Sequence, residues 1–327
     1  MRGSALANLN SDAEVSMILV IGATGFLGSE ICRRLAGSGQ QVRALVRTTS
    51  DRARLDALRS AGVELATGDL TDRASLDAAC VGVSTVISTA SAAVSRQAGD
   101  SIDAVDGEGQ LRLAETARAA GVEHFIYISF SGQIELDSPL RTAKRTMEDV
   151  LRRSGMAYTI FRPSYFMEVW LSPALGFDVG KGVVQVYGNG ERRVSFMSLV
   201  DVAQFAVACV GNPRARNRTI ELGGPEALSQ LDVIRTFGEL RGRPLETNVV
   251  PEEGLRAQHE AAADPMQKTF AALMLGYARG DAIDMKETLA EFPIRLTTVR
   301  DYALRTIGRS VVADAPAMRE ERGAAPA

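Results

Sequence analysis

The sequence predicts an α/β fold in which a doubly wound parallel sheet is accompanied by a smaller, mostly helical region. In the first half of the chain, short apolar segments alternate with helical segments of about 10–18 residues, a length that suits a strand-to-strand crossover. The apolar segments are continuous, as in strands that are covered on both faces. Together these observations favour parallel strands joined by right-handed helical crossovers.

Six strands are predicted between residues 17 and 163, with helices between them. The strands cover 17–21, 41–47, 63–69, 84–89, 124–129 and 157–163, and the helices cover 26–37, 51–61, 73–80, 103–120 and about 140–153. Sheet and helix elements from 193–222 are expected to join the same domain. Residues 164–310 are predicted to form mainly the smaller, substrate-side region, and residues 1–16 and 311–327 a disordered leader and tail.

Two local signals in the second half predict structural features. Gly188-Asn189-Gly190 is a turn signal and predicts a hairpin between two strands. Asp201 stands at the start of an apolar helical segment and is expected to cap it. Neither feature is assigned a part in binding.

Composition and charge exclude several classes of protein. The net charge is −3, so long-range attraction to nucleic acid or to an anionic membrane is not expected. A transmembrane helix needs ~20 consecutive apolar residues, and no such run is present. The three cysteines and two histidines lack metal-ligand spacing, so no metal site is predicted. We expect a cytoplasmic protein, a monomer or homodimer, that acts on a small molecule.

A glycine-rich turn joins the first strand to the first helix and has the sequence Gly22-Ala-Thr-Gly25-Phe-Leu-Gly28. The spacing places glycines where the backbone turns sharply and where a pyrophosphate approaches closely. The N-terminus of the following helix offers N–H groups and a partial positive charge to that anion. The alternative is a glycine turn that binds nothing. The strand–turn–helix context predicts a Rossmann-type NAD(P)-binding domain over residues 17–163.

Residues after the second and third strands indicate which dinucleotide is bound. Arg47 stands where an NAD-specific domain usually carries a carboxylate for the ribose 2′-hydroxyl. A guanidinium instead suits a 2′-phosphate, so NADP(H) is preferred over NAD(H). The alternative is a solvated surface arginine. Asp69, followed by Leu70, is expected to reach the adenine, or otherwise to be a turn residue or helix cap.

With these residues in place, the chain resembles the NmrA-like group of the atypical short-chain dehydrogenase/reductase superfamily. The matching segments are GATGFLG (22–28), VRALVR (42–47), GDLTD (68–72), GVEHFIYIS (121–129), SGMAYTIFRP (154–163) and MSLVDVAQF (197–205). The resemblance implies a cofactor laid across the C-terminal edge of the sheet, with the substrate between it and the smaller region.

The resemblance also implies the residues of the site. Those that would line the dinucleotide or its nicotinamide end are Gly22, Thr24, Gly25, Phe26, Leu27, Gly28, Arg47, Asp69, Leu70, Thr89, Ala90, Ser129, Lys144 and Pro163. Ser129 matches the family's active-site serine or its neighbour, and Tyr165 would lie near the nicotinamide. Catalytic roles are expected for Lys144, Ser129 and Tyr165.

The chain departs from the larger superfamily in one respect, and the departure keeps two functions open. Many short-chain dehydrogenases carry a Tyr-x-x-x-Lys pair, whereas Leu140 stands four positions before Lys144 here. One hypothesis is an NADPH-dependent reductase of a small, aromatic or quinone-like substrate. The other is a non-catalytic NADP-binding redox sensor, regulator or assembly factor, which the missing tyrosine favours. The same absence disfavours an epimerase or dehydratase acting on a nucleotide sugar.

An aromatic segment follows the sixth predicted strand. Tyr165, Phe166 and Trp170 stand close together there, and Trp170 is the only tryptophan of the chain. At the C-terminal edge of a strand this composition suits a flat, apolar substrate, so these residues are predicted to bind it. The alternative is ordinary core packing between the two regions.

Lys144 falls on an apolar helical stripe with Leu140, Met147 and Leu151. An ammonium on such a stripe needs a partner, because an isolated buried charge is costly. The hydroxyls of the nicotinamide ribose are the expected partner. The alternative is a surface ion pair with Glu148, one helical turn further on.

Overall fold

The structure is a computed structural model that describes residues 16–93, 97 and 99–313, with side chains as far as residue 308. The strands are β1 (Met17–Ile21), β2 (Gln41–Val46), β3 (Glu64–Thr67), β4 (Val83–Ser88), β5 (His124–Ile128), β6 (Ala157–Pro163), β7 (Phe177–Asp178), β8 (Val183–Tyr187), β9 (Arg193–Val194), β10 (Arg218–Leu222), β11 (Leu228–Ser229) and β12 (Glu246–Val250).

Helices alternate with these strands. They are α1 (Phe26–Gly37), α2 (Arg52–Ser60), α3 (Arg73–Ala79), α4 (Gln110–Ala119), α5 (Pro139–Arg153), α6 (Met167–Trp170), α7 (Leu199–Cys209), α8 (Gln230–Arg241), α9 (Glu252–Ala261), α10 (Pro265–Arg279), α11 (Lys286–Glu291) and α12 (Val299–Ala313). Short 3-10 helices lie at Pro173–Leu175 and Pro213–Ala215. The predicted leader lies almost wholly outside the described residues. So does the predicted tail, although α12 runs on to Ala313.

The main sheet is parallel throughout and is built from seven strands of the described chain. Their order is β3-β2-β1-β4-β5-β6-β10, so β1 pairs with β2 on one side and with β4 on the other. The direction of strand succession reverses between β1 and β4. In open parallel sheets, ligands bind at such a reversal, beyond the carboxyl ends of the strands. The predicted α/β class with a doubly wound parallel sheet is confirmed.

Helices cover both faces of this sheet, because β1 is apolar on both. Ile18 and Val20 pack into the core under α1 and α7. Leu19 and Ile21 face the opposite core, under α3, α4 and α5. Fully burying one such side chain contributes about 1.5–3 kcal/mol, so a continuously apolar strand holds both layers in place.

The helix that was predicted over 103–120 is two elements. A π-helix at Ile102–Gly109 leads without a break into α4. Gly109 ends the wide turns, and a Cβ there would lie 2.5 Å from the carbonyl oxygen of Ala104. A helical pattern in the sequence does not distinguish the two helix types, because both bury one side of the segment.

The hairpin that was predicted at Gly188-Asn189-Gly190 is wrong. The two glycines do have left-handed φ angles of 70° and 72°, so the chain turns there. However, β8 is already paired on one edge with β7 and on the other with β12. With both edges occupied, β8 has no position for β9, which pairs with β11 instead.

The prediction that Asp201 caps the helix α7 is wrong. The cap of α7 is Ser198, whose hydroxyl accepts from the N–H of Val200, and Asp201 lies inside the first turn. Its carboxylate accepts from the N–H of Thr297 at 2.7 Å and so ties α7 to the segment before α12. Burial raises the pKa of Asp201 despite these hydrogen bonds.

The smaller region is formed by α8, α9, α10, α12 and the short strands β7, β8, β9, β11 and β12, whereas α11 packs against the main core. The core of the smaller region is rich in aromatic side chains, with Tyr277 at the centre. Within the described residues, no helix combines the length and the apolar character that a membrane crossing requires.

Candidate functional site

The loop between β1 and α1 packs directly against the end of β4. Gly22 has a φ of +78°, in the left-handed region that favours glycine. A Cβ on Gly22 would lie 2.6 Å from Thr89 Oγ1 and 2.9 Å from Ala90 N. The Thr89 N–H donates to the carbonyl of Ile21 at 3.0 Å. The structure therefore brings Gly22, Thr89 and Ala90 together at the C-terminal edge of the sheet.

The start of α1 presents backbone N–H groups at this edge. The first hydrogen bond of the helix runs from Ser29 N to Gly25 O at 3.0 Å. The N–H groups of Phe26, Leu27 and Gly28 precede that bond, so they have no acceptor inside the helix. Gly25 is the N-cap residue and has no side chain with which to cap them. This row of N–H groups beside a residue without a Cβ fits a diphosphate.

The two later glycines of the loop have different surroundings. A Cβ on Gly28 would lie 2.3 Å from the carbonyl oxygen of Gly22, so only glycine lets α1 approach the loop this closely. A Cβ on Gly25 would approach only Gly22 O, at 3.2 Å. The φ of Gly25 is −76°, which any residue adopts. The fold thus tolerates a side chain at Gly25 better than at Gly28.

The other predicted loop residues divide between core and surface. Leu27 is buried under the sheet, whereas the ring of Phe26 is 69% exposed. The carbonyl of Thr24 accepts from Arg54 Nη1 at 2.8 Å. Arg54 therefore links α2 to the loop and places a guanidinium beside it.

Arg47 belongs to an ion-pair cluster beyond β2. Its Nε lies 2.6 Å from Asp69 Oδ2, and its Nη1 lies 2.9 Å from Asp100 Oδ1 and 3.1 Å from Gln97 Oε1. Burial alone would raise the pKa of Asp69, but hydrogen bonds from Thr71 and the charge of Arg47 hold it below its usual value. The side chain of Arg47 is 25% exposed and is paired with two carboxylates.

Asp69 also has the local contacts of a turn residue. Its Oδ1 accepts from the N–H of Thr71 at 2.8 Å and from the Thr71 hydroxyl at 2.6 Å. The side chain of Leu70 turns into the core, and its carbonyl accepts from Arg112 Nη1 at 2.7 Å. The contacts of Thr71 and Arg112 therefore hold the turn in place, and the turn positions the carboxylate of Asp69 beside Arg47.

Lys144 is buried on the inner face of α5, with 5% of its side chain exposed. Its Nζ lies 3.2 Å from Asp106 Oδ1 and donates to the carbonyl of Ile128, the last residue of β5, at 3.2 Å. The alternative of a surface pair with Glu148 is wrong. The hydroxyls of the nicotinamide ribose are the partner expected from the sequence, and that contact stays a prediction. Within the chain itself, the ammonium is paired with Asp106.

Asp106 and Gln110 are buried site residues that the sequence analysis missed. The Asp106 Oδ2 accepts from Ala92 N at 2.8 Å, and the Gln110 Nε2 donates to Ala90 O at 3.1 Å. Gln110 also accepts from the hydroxyl of Ser88, at the end of β4. A signal was present, because both residues continue the buried stripe of Ile102, Val105, Gly109 and Leu113. A carboxylate on such a stripe requires a buried partner.

Ser129 directs its hydroxyl towards Glu148. The Ser129 Oγ donates to Glu148 Oε1 at 2.6 Å and accepts from Arg145 Nη1 at 3.0 Å. Glu148 is fully buried and also receives hydrogen bonds from Arg152 and Arg162. Burial alone would raise its pKa, but the hydrogen bonds from Arg162 and Ser129 and the neighbouring charges hold it at about 2. The hydroxyl of Ser129 therefore already has both a hydrogen-bond acceptor, Glu148, and a donor, Arg145, within the protein.

Tyr165 is buried between the two regions. Its hydroxyl donates to the carbonyl of Leu273, on α10, at 3.1 Å. Burial raises the pKa of Tyr165 well above its usual value, so the phenol stays neutral. Pro163 is buried at the end of β6, and its carbonyl accepts from Ser131 N at 3.0 Å. Tyr165 is thus held in place, and its proton is shared with a backbone carbonyl.

Trp170 packs against two tyrosine rings. Its centroid lies 4.7 Å from that of Tyr165 and 4.6 Å from that of Tyr277. Trp170 and Tyr277 line a small enclosed space, while Phe166 is half-buried at the edge of the main core. Tyr165 and Trp170 are therefore brought together in the core of the smaller region, as the core-packing alternative describes, whereas Phe166 lies apart from them at the main core.

The succession of strands in the parallel sheet changes direction between β1 and β4, and the glycine loop lies at that point. This arrangement defines a dinucleotide-binding α/β protein. The chain belongs to the NmrA-like family, whose sequence profile matches residues 14–303. The resemblance inferred from the sequence is confirmed.

Individual relatives of the family have different recorded roles. The chain is 31% identical over 236 residues to the photosystem II assembly factor Ycf39 of Trieres chinensis, covering 72% of each protein. It is 30% identical over 275 residues to an NAD(P)H azoreductase of Xenophilus azovorans, covering 81% of this chain and 90% of that protein.

A solved structure gives the same fold. The Escherichia coli NADPH-dependent quinone oxidoreductase QOR2, complexed with NADPH, aligns with a TM-score of 0.73 and 22% sequence identity. The alignment covers 89% of this chain and all of that one.

Proposed function

We propose that this protein is an NADPH-dependent reductase that transfers hydride to a small, aromatic or quinone-like substrate. One observation carries the proposal: a buried ammonium is held beside a nucleotide cradle. Lys144 pairs with Asp106, Asp106 binds the N–H of Ala92, and the neighbouring Ala90 lies against Gly22. A cation fixed next to a dinucleotide is suited to stabilise negative charge that develops on a bound substrate.

The glycine loop is proposed to hold the cofactor. The N–H groups at the start of α1 and the open side of Gly25 would take the diphosphate, and Thr89 and Ala90 would border the nicotinamide ribose. Arg47 would take the 2′-phosphate, which favours NADP(H). When bound, NADPH supplies the hydride.

The protein's own groups orient the reactants and stabilise charge. The ammonium of Lys144 would offer a proton or a hydrogen bond to an oxyanion on the substrate, in place of the missing tyrosine. Ser129 and Tyr165 are engaged by Glu148 and by Leu273 O. We therefore assign Ser129 to the support of the site and Tyr165, with Trp170 and Phe166, to the wall against which a flat substrate would lie.

Relatives support the reductase assignment. The NAD(P)H azoreductase is 30% identical, and the NADPH-dependent quinone oxidoreductase shares the fold. A second candidate function is a non-catalytic NADP-binding assembly factor. It is favoured by Leu140 at the position of the usual tyrosine, and by the relative that is named as a photosystem II assembly factor.

NADPH oxidation by the purified protein separates the two candidates. The substrates are a panel of quinones, azo dyes, enals and aryl ethers, each assayed with NADPH and with NADH. A reductase should turn over at least one class faster than ~0.1 s⁻¹, within the ordinary enzymatic range. Tight NADPH binding by calorimetry without turnover on any class would favour the assembly factor. The matched control is the Gly25→Val protein, which should lose binding and turnover together.

A further inference from the structure

Asp106 is a fully buried carboxylate. Its Oδ2 is occupied by the N–H of Ala92 at 2.8 Å, and its Oδ1 faces Lys144 Nζ at 3.2 Å. The residue belongs to the π-helix between β4 and α4. The carboxylate is not exposed to solvent. Its negative charge is therefore tolerated only because the ammonium of Lys144 and the N–H of Ala92 compensate it.

Lys144 is unusual within this chain. The chain has four lysines, namely Lys144, Lys181, Lys268 and Lys286, and the other basic residues are arginines. Of the four, Lys144 is the buried one. Its ammonium contacts the carbonyl of Ile128 and lies 5.0 Å from the ring centroid of Tyr127. The ammonium is thus surrounded by the carboxylate of Asp106, the carbonyl of Ile128 and the side chain of Tyr127.

We propose that Asp106 is a positioning residue that keeps the ammonium of Lys144 charged and aimed at the reacting end of the site. This inference rests on the proposed function, because that function requires the ammonium of Lys144 and the inference names Asp106 as the residue that holds it. Through Ala92, the same carboxylate also fixes the segment that follows β4. Asp106 therefore ties the position of the cation to the loop that lies against Gly22.

The charges around Lys144 agree with this assignment. Burial lowers the pKa of Lys144, but the neighbouring Tyr127 and Asp106 raise it above its usual value. Burial raises the pKa of Tyr127 to about 12, so that phenol is neutral near pH 7. Glu148 lies on the same helix but is bound by arginines. Asp106 is thus the carboxylate that sustains the charge.

The small number of lysines allows a direct measurement of this charge. In protein labelled with ¹³C at the lysine Cε, four signals are expected, and Lys144→Met identifies one of them. In the wild-type protein the Lys144 signal should remain that of an ammonium up to pH ~10. In Asp106→Asn the titration of Lys144 should move down by ~1 pH unit or more, because burial then acts without a compensating charge. Asp103→Asn, an exposed acid on the same π-helix, is the matched control and should leave the titration unchanged.

Kinetics distinguish positioning from simple structural support. Asp106→Asn should lower kcat by ~10-fold or more, with little change in KM, and should move the alkaline limb of the pH profile to lower pH. In a Lys144→Met background, Asp106→Asn should cause no further loss of kcat, because the two residues act as a unit. The double variant also removes both charges together, so it leaves neither one buried alone.

The outcomes separate this inference from the proposed function. An unchanged Lys144 titration in Asp106→Asn, or additive losses in the double variant, overturns the inference. If Asp106→Asn does not fold, a wild-type Lys144 that loses its proton below pH ~9 overturns it as well. Absence of turnover by the wild-type protein on every substrate contradicts the proposed function, while the titration still decides the role of Asp106.

Discussion

The Nε of Arg47 lies 2.6 Å from Oδ2 of Asp69, across the ends of two neighbouring strands. The sequence assigned these residues to different parts of the cofactor, the 2′-phosphate and the adenine, yet they form one ion pair. Asp100 contacts the same guanidinium from a third segment. A bound 2′-phosphate would therefore share Arg47 with two carboxylates, so each of the three residues is expected to influence the choice of cofactor.

Arg47→Ala should weaken NADPH binding by ~10-fold or more, because a hydrogen bond to a charged group contributes about 1.5–3 kcal/mol. NADH binding should change less, since NADH has no 2′-phosphate. Asp100→Asn should act in the opposite direction and strengthen NADPH binding, because it removes a competitor for the guanidinium. Calorimetric titration of each variant with both nucleotides measures the preference.

Arg43→Ala is the control for this comparison. Arg43 is on the same strand and pairs with Glu64 at 2.7 Å, towards the other end of the sheet. Its loss should leave the ratio of NADPH to NADH affinity unchanged. If Arg47→Ala also leaves that ratio unchanged, Arg47 does not select the cofactor.

Gly25→Val should abolish tight NADPH binding and leave the fold intact. The side chain would stand beside the N–H groups at the start of α1, where the diphosphate is proposed to lie. The backbone at Gly25 accepts a β-branched residue, and a Cβ at this position would approach only Gly22 O. We expect affinity to fall by at least ~10-fold, equivalent to about 1.4 kcal/mol, with Tm nearly unchanged.

Gly28→Ala provides the contrast. Its Cβ would lie 2.3 Å from a backbone oxygen, so this variant should lose thermal stability as well as affinity. A Gly25→Val protein that binds NADPH as tightly as the wild type would remove the loop from the cofactor site.

Elements with a strong local signal were predictable from the sequence. The six predicted strands of the first half are all present. The central strands β1 and β5 carry apolar runs that helices bury on both faces, whereas the edge strand β3 is only partly buried. The hairpin at Gly188 failed for a non-local reason. The two glycines do produce the turn, but the pairing of β8 is decided by β12, which lies far along the chain.

The predicted site shows the same division. Gly22, Thr89 and Ala90 could be placed together because the carboxyl ends of adjacent parallel strands meet at one edge. The partner of Lys144 could not, because Glu148 was nearer in sequence while Asp106 is brought in by the π-helix. Likewise, the arginines that surround Glu148 come from α5 and β6, and sequence spacing does not reveal that they meet.

The fluorescence of Trp170 should report on a bound substrate. Trp170 is the only tryptophan and is packed between Tyr165 and Tyr277. A quinone or azo dye that stacks on this wall should quench or shift the emission of the NADP complex. Tyr277→Phe, which keeps the ring, is the control and should preserve the response. A silent Trp170, with binding shown independently by calorimetry, would return the three aromatic residues to core packing alone.

The acid stability of the protein should depend on Glu148. Its pKa is about 2 in the folded protein, against 4.5 as the ordinary value. Between these values the unfolded chain binds more protons than the folded one, so the stabilisation is complete above pH 4.5 and is lost as the pH falls towards 2. A shift of this size corresponds to about 3 kcal/mol.

Glu148→Gln should therefore lower the free energy of unfolding most at pH 7, and the difference from the wild type should shrink as the pH falls below 4.5. At pH 7 the loss has a second source, because the variant leaves Arg145 and Arg162 without their carboxylate. Urea unfolding at a series of pH values between 7 and 3 measures both contributions. Asp149→Asn, the exposed neighbour that pairs with Arg152, is the control and should show a small difference. A constant difference between Glu148→Gln and the wild type across the series would mean that Glu148 does not titrate as the buried, arginine-bound carboxylate that orients Ser129.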